Sequence, residues 1–98
     1  MLPIKVTRRA EAEIERAASW WVANRPAAPE ALREDVGRAF DLISRQPGIG
    51  SVAMNKRLQG VRRIYLSRVR YYLYYRVTTS PQQVEVLALW HASRGKGL

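Results

Sequence analysis

The side chains best equipped for chemistry in this 98-residue chain crowd its C-terminal half. They are seven arginines (Arg57, Arg62, Arg63, Arg68, Arg70, Arg76 and Arg94), five tyrosines between Tyr65 and Tyr75, and the only histidine, His91. Glu85 is the one carboxylate after residue 49. A Ser–His–acid triad built on His91 has almost no acid to draw on there, and no carboxylate pair suggests hydrolysis by a two-carboxylate mechanism. No Gly-rich phosphate loop, dinucleotide fingerprint or metal-ligand spacing is present, so neither a metal nor a cofactor is expected. Cysteine is absent, which removes disulfides and thiolate nucleophiles and suits a reducing, cytoplasmic setting. An enzyme made from this sequence would have to run on arginine, tyrosine and one histidine.

The net charge of +9 is informative through its placement. Residues 1–49 carry eight Lys/Arg against seven Asp/Glu, whereas residues 50–98 carry nine against one. Arginine outnumbers lysine fourteen to three, and its planar fork suits bidentate contact with carboxylate or phosphate. The asymmetry points to an acidic partner, nucleic acid or protein. A solubilising surface is the plainer alternative.

Such a chain is long enough for one hydrophobic core, and residues 1–98 read as a single domain without internal repeats. The N-terminus lacks the apolar core of a secretory signal, and no run reaches the ~20 apolar residues of a membrane span. Residues 2–6 read as a short strand with Pro3 near its start. Thr7 then suits an N-cap, and Ala10, Ile14, Ala17 and Trp21 recur at helical spacing until Arg25-Pro26 stops the helix. A second helix begins near Pro29, with Leu32, Val36, Ala39, Phe40 and Ile43 as its apolar stripe, and ends at Pro47-Gly48. The short link makes the pair an antiparallel hairpin.

From there the period changes to two. Residues 61–66, 70–77 and 84–90 read as strands, followed by a basic, loosely ordered tail over 91–98. The expected fold is α+β in the order β-α-α-β-β-β, a helical hairpin on one face of a small, mostly antiparallel sheet. Alternation along 70–77 sends Tyr71, Leu73, Tyr75 and Val77 toward the helices and leaves Arg70, Tyr72, Tyr74 and Arg76 on an open face. In the last strand the same rule groups Val84, Val86 and Ala88 against Leu87 and Leu89. Arginines interleaved with aromatics suit stacked bases and phosphates, a protein hot spot, or ordinary cross-strand packing. Trp20 and Trp21 point about 100° apart, so Trp21 fits the apolar stripe while Trp20 sits at its edge, where a second chain could cover it.

Taken in order, these pieces resemble the ParE/RelE toxin superfamily of type II toxin–antitoxin systems, and its ParE-like branch most. The resemblance is carried by Trp20-Trp21 with Asn24-Arg25-Pro26 and Ala28-Pro29, and by Gly60-Val61-Arg62-Arg63. It continues through the strand from Tyr71 to Val77 and closes on Leu87-Ala88-Leu89-Trp90-His91 with Arg94. It implies the fold just read and a cognate antitoxin whose disordered, acidic C-terminal segment folds onto the toxin, with Trp20 and Trp21 as its docking residues.

For the ParE-like branch it implies inhibition of DNA gyrase by binding, with Arg62, Arg63, Arg76, His91, Arg94 and Lys96 as the basic contact surface. For the RelE-like branch it implies ribosome-dependent cleavage of mRNA, for which Arg63, Tyr72, Arg76 and His91 would be the catalytic set. Tyr72 stands where many of those nucleases keep an arginine, and Tyr65 replaces a second basic residue, so the nuclease constellation is incomplete. His91 fits either branch. A third possibility, resting on charge alone, is a basic nucleic-acid-binding domain.

Overall fold

The structure is a computed structural model and describes residues 1–54 and 56–94. Its elements are β1 (Ile4–Val6), α1 (Arg8–Asn24), α2 (Ala31–Arg45), β2 (Ser51–Val52), β3 (Arg62–Leu66), β4 (Tyr71–Thr78) and β5 (Gln83–His91), followed by a 3-10 turn, Ala92–Arg94. The strands form one sheet in the order β1-β5-β4-β3-β2. Only β1 runs parallel to its neighbour, β5; the other pairs are antiparallel. The α+β class and the β-α-α-β-β-β order expected from periodicity hold, with the two-residue β2 as an extra edge strand.

Each helix begins and ends for a local reason. The Thr7 hydroxyl accepts the Ala10 N–H at 3.1 Å, capping the first turn of α1. Thr7 Oγ1 also donates to the Leu87 carbonyl at 3.3 Å, so the cap ties the helix to the sheet. Arg25, held out of the helical region by Pro26, closes α1 with an N–H to the Trp21 carbonyl. α2 starts two residues after Pro29 and has no side-chain cap. The face of α1 turned to the sheet is mostly alanine (Ala10, Ala17, Ala18), which lets the helix approach β5 closely. Leu32, Val36, Ala39 and Ile43 of α2 fill the rest of the main core against Leu66, Leu73, Tyr75, Val84, Val86 and Leu89.

The sheet face away from the helices is not open along its length. Val61, Tyr74, Leu87 and Ala88 form a second buried cluster, with Ala53 and Leu58 of the β2–β3 connection packed over it. Tyr74, expected on an open face, is only 3% exposed. Arg70, expected to start the strand, lies instead in the preceding turn with φ 62°, so β4 begins at Tyr71. Residues 91–98, expected as a loose tail, begin as structure: His91 ends β5 and Ala92–Arg94 make the 3-10 turn.

A bulge in β5 decides which residues face which side. Tyr74 pairs with Ala88 and Tyr75 with Val86, so Leu87 is an extra residue with no partner. Val84 and Val86 join the main core, Leu87 and Ala88 both join the second cluster, and Leu89 returns to the main core. The grouping of Val84, Val86 and Ala88 by simple alternation is thereby corrected. Beyond the bulge the parity is inverted, which puts Trp90 beside Tyr72 on the outer face and His91 beside Tyr71 on the helix side.

Candidate functional site: a basic groove and an aromatic sheet face

The helix side carries a groove of about 610 Å³ lined by Trp20, Trp21, Arg25, Arg68, Val69, Arg70, Tyr71 and His91. It forms where the end of α1 overhangs the turn between β3 and β4. Trp20 is 46% exposed, whereas Trp21 is half-buried and packs against the main core. Their rings meet edge to face, 6.1 Å between centroids, and the Arg25 guanidinium lies over both, 4.8 Å from Trp20 and 5.5 Å from Trp21.

On the far wall the Tyr71 and His91 rings make a T-shaped contact at 4.9 Å. Burial raises the Tyr71 hydroxyl above its ordinary range, against an opposing pull from Arg94, so it stays a neutral donor. His91 Nδ1 accepts the Ser93 N–H at 3.1 Å and lies 2.7 Å from the Ser93 hydroxyl. A smaller recess of about 170 Å³ extends the groove past Trp20 and Tyr71 to Glu13, Arg16 and Arg94.

The three groove arginines are not equivalent. Arg68 Nη2 donates to the Ala31 carbonyl at 3.2 Å, to Glu34 at 3.0 Å and to Asp35 at 2.7 Å, pinning the β3–β4 turn to the start of α2. Its charge is spent on the fold. Arg25 is stacked, and Arg70 makes no ion pair among the described residues. No carboxylate lines the main groove, so its apolar floor has basic walls.

The Asp35 clamp has a consequence for stability. Burial pushes its carboxyl up, but hydrogen bonds from Arg68 and Arg38 outweigh that and hold it below the ordinary 3.8. A depressed native value means the stabilisation is complete above about pH 4 and is lost as pH falls through that value. With Arg68 half-exposed and screened, Asp35→Asn is expected to cost about 1 kcal/mol at neutral pH. The gap in urea midpoint between the two proteins should shrink between pH 7 and pH 3; a gap that stays constant would mean the ion pairs contribute nothing.

The outer sheet face carries a different set. Arg63 Cζ sits 4.2 Å above the Tyr72 ring, with Nη1 3.5 Å from the Tyr74 hydroxyl. Tyr65 and Tyr72 pack with centroids 5.0 Å apart, and Arg94 Cζ lies 4.6 Å over Trp90. Arg76 is occupied, donating to Glu85 at 2.8 Å.

The residues expected to share one site are therefore divided between two faces. Arg63, Tyr72 and Arg76 lie on the outer face, while His91 belongs to the groove with Trp20 and Trp21. Arg62 and Arg63, adjacent in β3, also part: Arg62 pairs opposite Tyr75 on the helix side and donates to the Gly50 carbonyl at 2.8 Å. Lys96 lies outside the described residues. Sequence reasoning missed Arg25, Arg70 and Tyr71 as groove residues. The Asn24-Arg25-Pro26 helix end was the available signal for the first; nothing local marked the other two. No group of three or more His, Cys, Asp or Glu among the described residues could hold a metal ion, and no helix is long and apolar enough to cross a membrane.

Comparison with known proteins agrees with this architecture. A solved chain from the chromosomal ParDE TA system of P. aeruginosa superposes with a TM-score of 0.75 at 19% identity, covering 95% of this chain and 98% of that one. At that identity the likeness speaks for the fold. A search of curated proteins returns no match. The family model described as the ParE toxin of the type II toxin–antitoxin system parDE matches residues 4–95, nearly the whole chain, and the chain belongs to that family.

Proposed function

We propose that this protein is a cytoplasmic growth-arresting toxin that inhibits DNA gyrase by binding it, without a cofactor, and that a cognate antitoxin neutralises it. Residues 1–98 act as one toxin domain. The observation that supports the antitoxin part most is the groove: exposed Trp20, stacked under Arg25, beside Arg70 and His91, with no lining carboxylate. An antitoxin segment bearing acidic residues around one or two large apolar side chains complements it, apolar anchors on the tryptophans and carboxylates on Arg25 and Arg70. Such a segment orders as it binds, which suits a partner that must be both selective and removable.

The gyrase contact falls to cations outside the main groove, Arg63 on the outer face foremost, then Arg94 at the smaller recess, with Lys96 continuing the basic stretch in sequence. Arg62 and Arg76 contribute less in this reading, since the fold already engages both. Ribosome-dependent mRNA cleavage is the weaker reading. It requires Arg63, Tyr72, Arg76 and His91 to act on one ribose and phosphate, and the sheet stands between His91 and the others.

The two readings separate in cells within minutes of induction. Pulse-labelling is expected to show thymidine incorporation stopping before methionine incorporation. Protein synthesis failing first, with transcripts broken inside codons, would overturn the gyrase reading in favour of the nuclease.

A further inference from the structure

We infer that the outer sheet face is a binding platform for single-stranded nucleic acid, whose unpaired bases stack on Tyr65 and on the guanidinium planes of Arg63 and Arg94. The inference concerns binding by the isolated chain and stands whether or not gyrase is its target.

Pairing register aligns the platform. Tyr65 opposes Tyr72 across β3 and β4, and Tyr72 opposes Trp90 across β4 and β5, so three aromatic side chains form one row over three strands. Neighbouring strands lie about 4.8 Å apart, which makes the row roughly 10 Å long. The β2–β3 connection covers Tyr74, Leu87 and Ala88, leaving Tyr65 46% exposed and Tyr72 and Trp90 half-buried at the margin.

Two arginines hold their guanidinium groups against this row, Arg63 Cζ 4.2 Å from the Tyr72 ring centroid and Arg94 Cζ 4.6 Å from that of Trp90. A guanidinium held over a ring offers its other face to a second flat group while its edge N–H groups reach phosphate. Glu85, the one carboxylate in the C-terminal half, is held by Arg76 and leaves the row uniformly basic.

These features select a single strand over its competitors. A duplex hides its base faces and offers only phosphates, so it would gain from the arginines and nothing from Tyr65. An acidic peptide would likewise use charge and leave the ring without a planar partner. Salt dependence alone cannot separate the cases, because a chain of net charge +9 binds any polyanion to some degree.

The test is fluorescence anisotropy of the full chain with a labelled 20-mer of oligodeoxythymidylate, a duplex of equal length, and unlabelled polyglutamate as competitor, all in 150 mM salt. The single strand is expected to bind at least tenfold more tightly than the duplex and to resist polyglutamate. Tyr65→Ala, which removes an exposed ring and leaves charge unchanged, is expected to weaken the single strand about tenfold and the duplex less than twofold. Arg38→Ala, on α2 away from the row, should alter neither by more than about twofold. Circular dichroism verifies that both variants are folded. Equal or tighter duplex binding, efficient competition by polyglutamate, an unaffected Tyr65→Ala, or no measurable binding would each overturn the inference.

Discussion

Replacing Trp20 by alanine is expected to weaken capture of the proposed cognate antitoxin by about 30-fold or more, roughly 2 kcal/mol, with little change in folding stability. The separation is possible because Trp20 is 46% exposed and contributes its area to the groove rather than to the core. Truncation also frees the Arg25 guanidinium, which loses the ring that holds it 4.8 Å away and with it the fixed geometry a carboxylate would meet. Arg25→Ala should therefore weaken binding too, and the double variant should lose less than the sum of the two. Trp21 is a poorer probe, since it packs on the main core and its removal would confuse binding with folding. Calorimetric titration against the purified antitoxin reads the effect directly. An unchanged affinity in Trp20→Ala would place the antitoxin on another surface.

Gly50→Ala is expected to destabilise the fold by about 3 kcal/mol, lowering Tm by roughly 10–20 °C. Gly50 is buried where the chain passes from α2 into β2. A Cβ there would stand 2.7 Å from the Tyr75 hydroxyl and 2.9 Å from the Arg63 carbonyl oxygen, and the second is backbone that has nowhere to go. The tyrosine cannot swing away cheaply either. Its hydroxyl accepts the Gly50 N–H at 2.8 Å and donates to the Pro47 carbonyl at 2.8 Å, joining β4 to the end of α2. Burial raises the Tyr75 hydroxyl above its ordinary range, opposed in part by the Gly50 N–H, which keeps it a donor. Tyr75→Phe relieves the closest clash but strands both partners, at about 1–3 kcal/mol. The two changes should be sub-additive, because each removes part of what the other disturbs. A Gly50→Ala protein within about 0.5 kcal/mol of the parent would show that this junction yields more easily than its geometry implies.

The helical hairpin was legible in the sequence because its signals are local. Thr7 before a 4-3-4 spacing of apolar residues, Pro26 after Arg25, and Pro29 ahead of Leu32 and Val36 each act within a turn or two of chain. The order of strands followed from the change of period after Gly48. What the sequence could not disclose was the bulge at Leu87. An alternation rule holds only while residues pair one to one, and the extra residue reverses every side chain after it. That single position separates His91 from Tyr72 and Arg76 and makes it a groove residue. Tyr74 eluded sequence reasoning for a related reason, since the segment that buries it, around Ala53 and Leu58, is remote in sequence. Arg68 counts toward the basic excess of the C-terminal half, yet its partners Glu34 and Asp35 lie in the first half of the chain, where only tertiary structure reveals them.

Gyrase supercoiling in vitro tests the central claim most directly. Purified toxin, titrated to micromolar concentration against gyrase and relaxed plasmid, is expected to suppress supercoiling, and stoichiometric antitoxin is expected to restore it. Arg63→Glu, on the sheet face opposite the groove, should abolish the inhibition while leaving antitoxin capture intact. Supercoiling that proceeds unaltered in the presence of folded toxin would contradict the account at its centre.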